Sequence, residues 1–331
     1  MDEFKIVVLT PVKNEEWILD QFLTITSLFA DKIIIADQQS TDKSREICSK
    51  FNKVHLIENK DTEYDEAGRQ KLLIKTAREL FPSEKIIFFC LDADEVFSAN
   101  SLTNKEAWDK IKNLSRGTAI YVEKPDLLYG IERCVRWINN YFPIGYVDDG
   151  KEHLPQTVHS KRIPEHSDNN LVYIDGIKIL HFAHSRKNAQ SAKLRYYSII
   201  ENIKKTKPVY LRRHAYKCFY NETETYPPEN IENIPGDWLD TWDEMNINLR
   251  KPEDPIYSWH DFEVMRLFKE FGYKKFYLDN IWEFNWETLR QEALKLNKVC
   301  PKLVVVPPTF RYKLLGKSID KLYTTYLKLR K

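Results

Sequence analysis

A short acidic run, Asp92-Ala93-Asp94-Glu95, follows directly on the apolar stretch IIFFCL at residues 86–91. Two carboxylates spaced i, i+2 just beyond a buried strand repel each other and resist desolvation, so stability alone is a poor reason for them. A divalent cation removes both costs. Hard carboxylate oxygens with open positions suit Mg2+ or Mn2+, and diphosphate oxygens can complete the shell. The alternative for Asp92 and Asp94 is a solvated acidic turn.

The elements around this run tell where it sits. Apolar, β-rich runs occur at residues 4–9, 33–36, 54–57 and 86–91, and helical spacing occurs at 15–28, 40–51 and 67–81. That alternation predicts a parallel sheet with helices on both faces. Such sheets bind ligands beyond the carboxyl ends of their strands. Here the strand ends carry Thr10-Pro11-Val12-Lys13-Asn14-Glu15, then Asp37 through Asp42, then Glu58-Asn59, then the acidic run, all on one edge. Asp37 meets a ligand there or caps the next helix; Asp42 reads as a cap, and Glu15 equally as a first-turn helix charge. Thr103 and Glu106 form a capping box for a helix over Ala107, Trp108 and Ile111. Gly-rich G-x-G-x-x-G and Walker loops are absent, which excludes dinucleotide and P-loop chemistry and leaves metal-mediated diphosphate binding.

Beyond residue 115 the alternation gives way to short strands and loops. Helical patterns return at 189–205, 261–271 and 286–296, and residues 223–255 read as a structured loop rich in Pro, Asn, Asp and Trp. The predicted division is residues 1–205 and a mainly helical extension, 206–331. His181 and His184 follow the apolar run IKIL. Downstream of a carboxylate pair, one of them is expected at the metal or diphosphate; His181 is preferred because it follows the strand directly. A structural role is the alternative. Lys193 and Arg195 lie on the next helix, where they reach phosphate or form a solvated face.

The chain has 331 residues, with 51 Lys and Arg against 49 Asp and Glu. Such near-neutrality argues against nucleic acid as partner. The five cysteines are scattered, without zinc or disulfide spacing, so a reducing cytosol is expected. Neither a signal-peptide pattern nor an apolar run of roughly 18 residues is present, and a cytoplasmic protein is expected. Residues 309–331 hold seven Lys and Arg against Asp320, with Leu314, Leu315, Ile319, Leu322, Tyr326 and Leu329 interleaved at helical spacing. That is either a peripheral contact with the inner face of a membrane or a docked helix with a solvated basic face.

Three stretches, VVLTPVKNEEWILDQFL, IIIADQQSTDKSREIC and FFCLDADEVF, with EAGRQKLL between the last two, together resemble glycosyltransferase family 2 of the GT-A fold. The stretch IKILHFAHSRKNAQSAKLRYYSI resembles a bacterial branch that builds surface glycans and lipopolysaccharide cores. The resemblance implies an α/β GT-A domain with a Rossmann-like, mostly parallel sheet. It implies an inverting transfer of sugar from a nucleotide-diphosphate sugar, with a UDP-sugar favoured, to a glycan or glycolipid hydroxyl. Thr10, Pro11, Glu15 and Arg69 would lie at the nucleotide and Asp37 at its base. Asp92, Ala93 and Asp94 would form the DxD element, with Asp94 the more direct ligand of Mn2+ or Mg2+. His181 or His184 would add a metal or diphosphate contact, and Lys193 a diphosphate contact. The base that deprotonates the acceptor would be Glu165 by position, or Glu152; each is equally readable as a solvated loop carboxylate. Two other readings are a catalytically inactive nucleotide-sugar-binding or assembly protein on the same fold, and a nucleotidyltransferase, whose Gly-rich N-terminal loop is missing.

Overall fold

The structure is a computed structural model that describes residues 4–60, 65–137, 140–153, 162–164, 170–216, 226–245, 247, 249, 252–295 and 304–330. Its first half carries the expected parallel strands β1 (Phe4–Val12), β2 (Lys32–Asp37), β3 (Val54–Glu58) and β4 (Lys85–Cys90). Between them run the helices α1 (Leu19–Thr26), α2 (Ser44–Cys48) and α3 (Glu66–Leu80). β1 pairs in parallel with β2 and β4, and β2 with β3.

Successive strand residues point to opposite faces, and here both faces are covered. Ile6, Val8, Ile33, Ile35, Ile87 and Phe89 pack with Phe22 and Leu23 of α1 and with Trp108. Val7, Leu9, Ile34, Ala36, Ile86 and Phe88 pack with Leu73, Ile74 and Ala77 of α3. This two-sided burial is why the strands read as unbroken apolar runs instead of alternating ones.

After β4 come β5 (Glu95–Phe97), α4 (Ala99–Thr103), α5 (Lys105–Lys112), β6 (Ala119–Glu123), β7 (Asp126–Leu127), β8 (Arg133–Val135), β9 (Tyr141–Val147) and β10 (Leu171–His181). The sheet runs β3-β2-β1-β4-β9-β6-β10-β7-β8 and ends on β11 (Ile231–Asn233), with β5 paired to β10. It is a mixed sheet, because β9 runs antiparallel to both β4 and β6. The register of β10 against β6 shifts between Tyr173 and Lys178. Gly176 lies in that interval at φ +79°, where a Cβ would come within 2.2 Å of Asn104. The irregularity frees the far end of β10 to pair with β5 and β7.

Several local expectations are corrected. The helix after β1 begins at Leu19, because Glu15 to Ile18 form a turn held by bonds from Ile18 N and Leu19 N to the Glu15 carbonyl. The N-cap of α5 is Asn104, whose Oδ1 accepts from Ala107 N at 3.0 Å, while Thr103 closes the helix before it. α2 starts at Ser44 with Lys43 as its N-cap residue, and Asp42, the expected cap, accepts from Ser44 N at 2.9 Å.

The chain forms two compact units, residues 1–185 with 229–253 and residues 186–228 with 254–331. The expected boundary near 205 instead falls at the end of α6 (Lys187–Lys204), inside the second unit. Residues 229–253 return to the first unit: β11 adds to β8, and Trp238, Trp242, Ile247 and Leu249 are buried in its core. A strand added from so far along the chain leaves no local periodicity to read.

The second unit is helical, as expected, with α6, α7 (Val209–Ala215) and the helices Trp259–Phe271, Trp286–Lys295 and Phe310–Leu329. The Asp254 carboxylate accepts from Asn188 N and Ala189 N at the start of α6. Buried pairs Arg195–Asp261 and Arg212–Asp279, each 2.8 Å apart, tie its helices together. Among the described residues no helix is long and apolar enough to cross a membrane.

Candidate active site

The carboxyl ends of β1, β2 and β3 lie level, with Val12 opposite Asp37 and Asp37 opposite Glu58. The loops after β1 and β2 are tied by hydrogen bonds. Asn14 N donates to Ser40 Oγ at 2.9 Å, and Asn14 Oδ1 accepts from Thr41 N at 2.7 Å. Glu15 N donates to Ser44 Oγ, Glu16 N to Asp42, and Lys43 N to the Glu16 carboxylate. Asn14 and Gln39 take φ of 57° and 53°, a region that asparagine tolerates better than most residues. Asp42 thus ties the two loops, besides accepting from Ser44 N at 2.9 Å. The Glu15 carboxylate accepts from Trp17 Nε1 at 2.7 Å.

Asp37 is fully buried. One of its oxygens accepts from Ser40 N and from Arg45 at 3.2 Å; the other, Oδ1, is buried with no partner among the described residues. Thr10 Oγ1, at the end of β1, is in the same condition. Buried polar atoms are nearly always paired, so two orphans at a strand edge point to a ligand. Pro11 stands beside Ala36 in the register, and Arg69 lies half-buried in the first turn of α3.

The acidic run lies beyond β4, where Glu95 N donates to the Asp92 carbonyl. Its residues have different partners. The Asp92 carboxylate accepts from Arg162 at 2.6 Å. Glu95 is fully buried; it accepts from Asp92 N, from Lys124 Nζ at 3.0 Å and from Arg162. Burial works to raise its pKa, but Arg162, Lys124 and His181 outweigh burial and hold the carboxyl well below the usual range. Ala93, between the two aspartates, is buried. Asp94 is buried and its carbonyl accepts from Phe182 N at 2.8 Å. Its carboxylate Oδ2 lies 3.9 Å from His181 Nε2, and its charge also acts on the Arg162 guanidinium.

His181 ends β10, opposite Glu95 on β5 and Asp126 on β7. Its Nδ1 lies 2.6 Å from Asp126 Oδ1. Asp126 Oδ2 accepts from Trp137 Nε1 at 2.8 Å and lies 4.0 Å from His184 Nε2. Burial again opposes ionisation of Asp126, and the hydrogen bond and charge of His181 override it, so this carboxyl also sits well below its ordinary pKa. Asp126, His181 and His184 offer ligand atoms within 4.8 Å of one another. With Nδ1 donating to Asp126, His181 presents Nε2 toward Asp94, the orientation in which an outer carboxylate holds a metal-binding imidazole. A gap of 3.9 Å is one that two ligands of a single ion at about 2.1 Å can span. Carboxylate with imidazole suits Mn2+ at least as well as Mg2+.

The structure thus brings Asp92, Asp94 and His181 together, with His184 beside them. Glu152 pairs with Lys71 at 3.7 Å and is 75% exposed. Glu165 lies outside the described residues. Lys193 is on α6 in the second unit, its Nζ 6.0 Å from the Tyr197 ring. Glu95, Lys124, Asp126 and Arg162 went unpredicted as site residues. Glu95 was visible as the end of the acidic run. Asp126 precedes His181 by 55 positions and is joined to it only by strand pairing.

Residues 7–106 match the family described as glycosyl transferase family 2. No curated protein matches the chain significantly. Among solved structures it is similar to glucosyl-3-phosphoglycerate synthase from Mycobacterium tuberculosis in complex with Mn2+, uridine diphosphate and glucosyl-3-phosphoglycerate. The identity is 16% over 37% of this chain and 44% of that one, with a TM-score of 0.24. A glycosyltransferase involved in glycosylation of the major capsid of PBCV-1 matches with 21% identity over 44% of this chain and 60% of that one, TM-score 0.24. A 4-diphosphocytidyl-2C-methyl-D-erythritol synthase matches with 15% identity over 45% and 71%, TM-score 0.27. The chain spans less than two-thirds of the length of the first two. Over residues 7–106, the stretch that carries β1 to β4 and the acidic run, this chain is similar to glycosyl transferase family 2.

Proposed function

We propose that the protein is an inverting glycosyltransferase that moves a sugar from a UDP-sugar to a hydroxyl of a glycan or glycolipid. The observation that carries this is the Asp94 carboxylate facing His181 Nε2 at 3.9 Å, with the other ring nitrogen held by Asp126. Asp94 and His181 would hold Mn2+ or Mg2+, with Asp92 and His184 next in line. The ion, when bound, would neutralise charge developing on the diphosphate leaving group. Arg162 beside Asp92 would add positive charge at the same place. Asp37 Oδ1, buried and without a partner among the described residues, would accept the imide N–H of uracil, with Thr10 close to the nucleotide. Arg69, Pro11 and Glu15 would line the donor. Glu165 would take the proton of the acceptor hydroxyl, and Glu152 is the alternative base. An acceptor of the bacterial surface-glycan kind and peripheral attachment through residues 309–331 complete the reading.

Calorimetry with UDP tests it. Binding is expected with Mn2+, and is expected to collapse in EDTA and in Asp94→Ala. Equal affinity with and without metal would overturn the metal–diphosphate assignment. A hydrolysis screen against UDP-, GDP- and CMP-sugars separates an active transferase from an inactive sugar-nucleotide binder.

A further inference from the structure

The helix Phe310–Leu329 is docked along one face only. Gly316 lies against Arg213 so closely that a Cβ there would come within 2.8 Å of its guanidinium carbon. Asp320 accepts from two nitrogens of the same guanidinium, at 2.8 and 2.7 Å. Tyr323 stands 5.1 Å from the rings of both Tyr210 and His214, and Tyr312 stands 5.0 Å from Tyr277. These contacts fix how the helix is rolled, and so decide what it leaves outside.

What it leaves outside is apolar. Half of the strongly exposed large apolar side chains among the described residues fall within residues 304–329. Leu315, Leu322 and Leu329 recur every seventh position, which makes one stripe along a helix, at 49%, 72% and 82% exposure. Phe310 and Leu314, at 77% and 53%, widen it by a turn at the N-terminal end, where Val304 and Val306 are exposed as well. Apolar exposure this concentrated marks an interaction surface.

The flank of that surface is cationic. Lys313, Lys317 and Lys321 recur every fourth position and form a row beside the Phe310–Leu314 edge. Exposed Lys274 and Lys275 lie in the turn just before Tyr277, the residue on which Tyr312 packs. Asp320, the one acidic residue of the segment, is already paired with Arg213. The charge selects the occupant. A second copy would bring the same lysine rows together and repel, and a polyanion without an apolar phase would leave the leucines in water. An anionic lipid surface satisfies both parts, with leucines at the acyl boundary and lysines among the phosphates.

We propose that this face seats the protein on anionic bilayers, with Leu315, Leu322 and Leu329 inserted and the lysine row at the headgroups. The proposal deepens the glycolipid-acceptor part of the transferase reading, and lipid binding itself needs no catalysis. The full chain is sedimented with vesicles of phosphatidylcholine alone or mixed with phosphatidylglycerol. Retention is expected on the mixed vesicles only, and is expected to fall as salt is raised to about 0.5 M, where exposed charges are screened. Two variants, Leu315→Ser/Leu322→Ser/Leu329→Ser and Lys313→Glu/Lys317→Glu/Lys321→Glu, should each lower retention by at least about tenfold. All six positions lie off the docked face, so both variants should keep the wild-type melting temperature; should one fail to fold, the other still decides. No retention on anionic vesicles, or undiminished retention in the folded variants, overturns the proposal. So does a dimer in light scattering that the leucine variant abolishes while no vesicle binding is seen. UDP affinity measured on the same samples keeps the two readings apart. Lost vesicle binding with intact UDP binding sinks only this proposal, and the reverse result sinks only the transferase reading.

Discussion

His181 and Asp126 stand opposite each other where β10 meets β7, and the imidazole Nδ1 lies 2.6 Å from the Asp126 carboxylate. The pairing fixes the ring and its tautomer, so that Nε2 is the nitrogen offered to Asp94. Asp126→Asn keeps the shape but offers a weaker acceptor. Mn2+-dependent UDP affinity is expected to fall by about ten- to a hundredfold, the usual cost of losing such an outer carboxylate. UDP affinity in EDTA should not change. Calorimetry on wild type and variant decides, and unchanged Mn2+ dependence would remove Asp126 from the site.

Asp37 separates base recognition from capping. One of its oxygens serves Ser40 N and Arg45, and the other is buried without a described partner. Asp37→Ala should weaken UDP binding while thermal stability changes by only about 1–2 kcal/mol, the scale of a lost cap. A large stability loss with UDP affinity intact would return Asp37 to a structural role.

Glu95 predicts a pH dependence of stability. Its folded-state pKa lies below the ordinary value of 4.5 because Arg162, Lys124 and His181 overcome its burial. At low pH the unfolded chain therefore takes up this proton before the native one does. The stabilisation is present above about pH 4.5 and is lost as pH falls below it. Asp126 acts in the same direction from its ordinary value of 3.8. Melting temperatures in EDTA should drop on going from about pH 7 to about pH 3, and Glu95→Gln should flatten that drop. At neutral pH, Glu95→Ala takes the buried partner from Lys124 and leaves Arg162 with Asp92 alone, and should cost roughly 3–5 kcal/mol. A melting temperature insensitive to both changes would show that the cluster does not stabilise the fold.

The part of this site that local sequence can announce is the part built at strand ends. IVVL, IIIA and IIFFCL are buried on both faces, so each strand announces itself, and the polar residues beyond it follow by position. Asp37, Asp92 and Asp94 were legible for that reason. Asp126, Lys124 and Arg162 were not, because each reaches the site by tertiary pairing. β7 has two residues and no periodicity, and Arg162 meets Asp92 across 70 positions. β11 and the tryptophans after it were hidden the same way, since they join a core formed far upstream. The Thr103–Glu106 capping box failed for a nearer reason: Asn104, one residue on, is the better placed acceptor.

The identity of the general base is the prediction with the most at stake. Glu152 sits in a surface ion pair with Lys71, 3.7 Å away, and is 75% exposed. A carboxylate so solvated is a weak, unpositioned base. Glu165 lies three positions after Arg162 in the sequence, and the Arg162 guanidinium binds both Asp92 and Glu95. Glu165→Gln removes the base while keeping size and polarity. Transfer is expected to lose at least about a hundredfold in kcat, with metal-dependent UDP affinity near wild type, because the donor site does not use that proton. Glu152→Gln should leave both unchanged, since an exposed pair contributes at most about 1 kcal/mol. Should Glu165→Gln transfer normally while Glu152→Gln does not, the assignment reverses. Should both transfer normally, the base is neither, and a further carboxylate must be sought by the same kcat-against-affinity comparison.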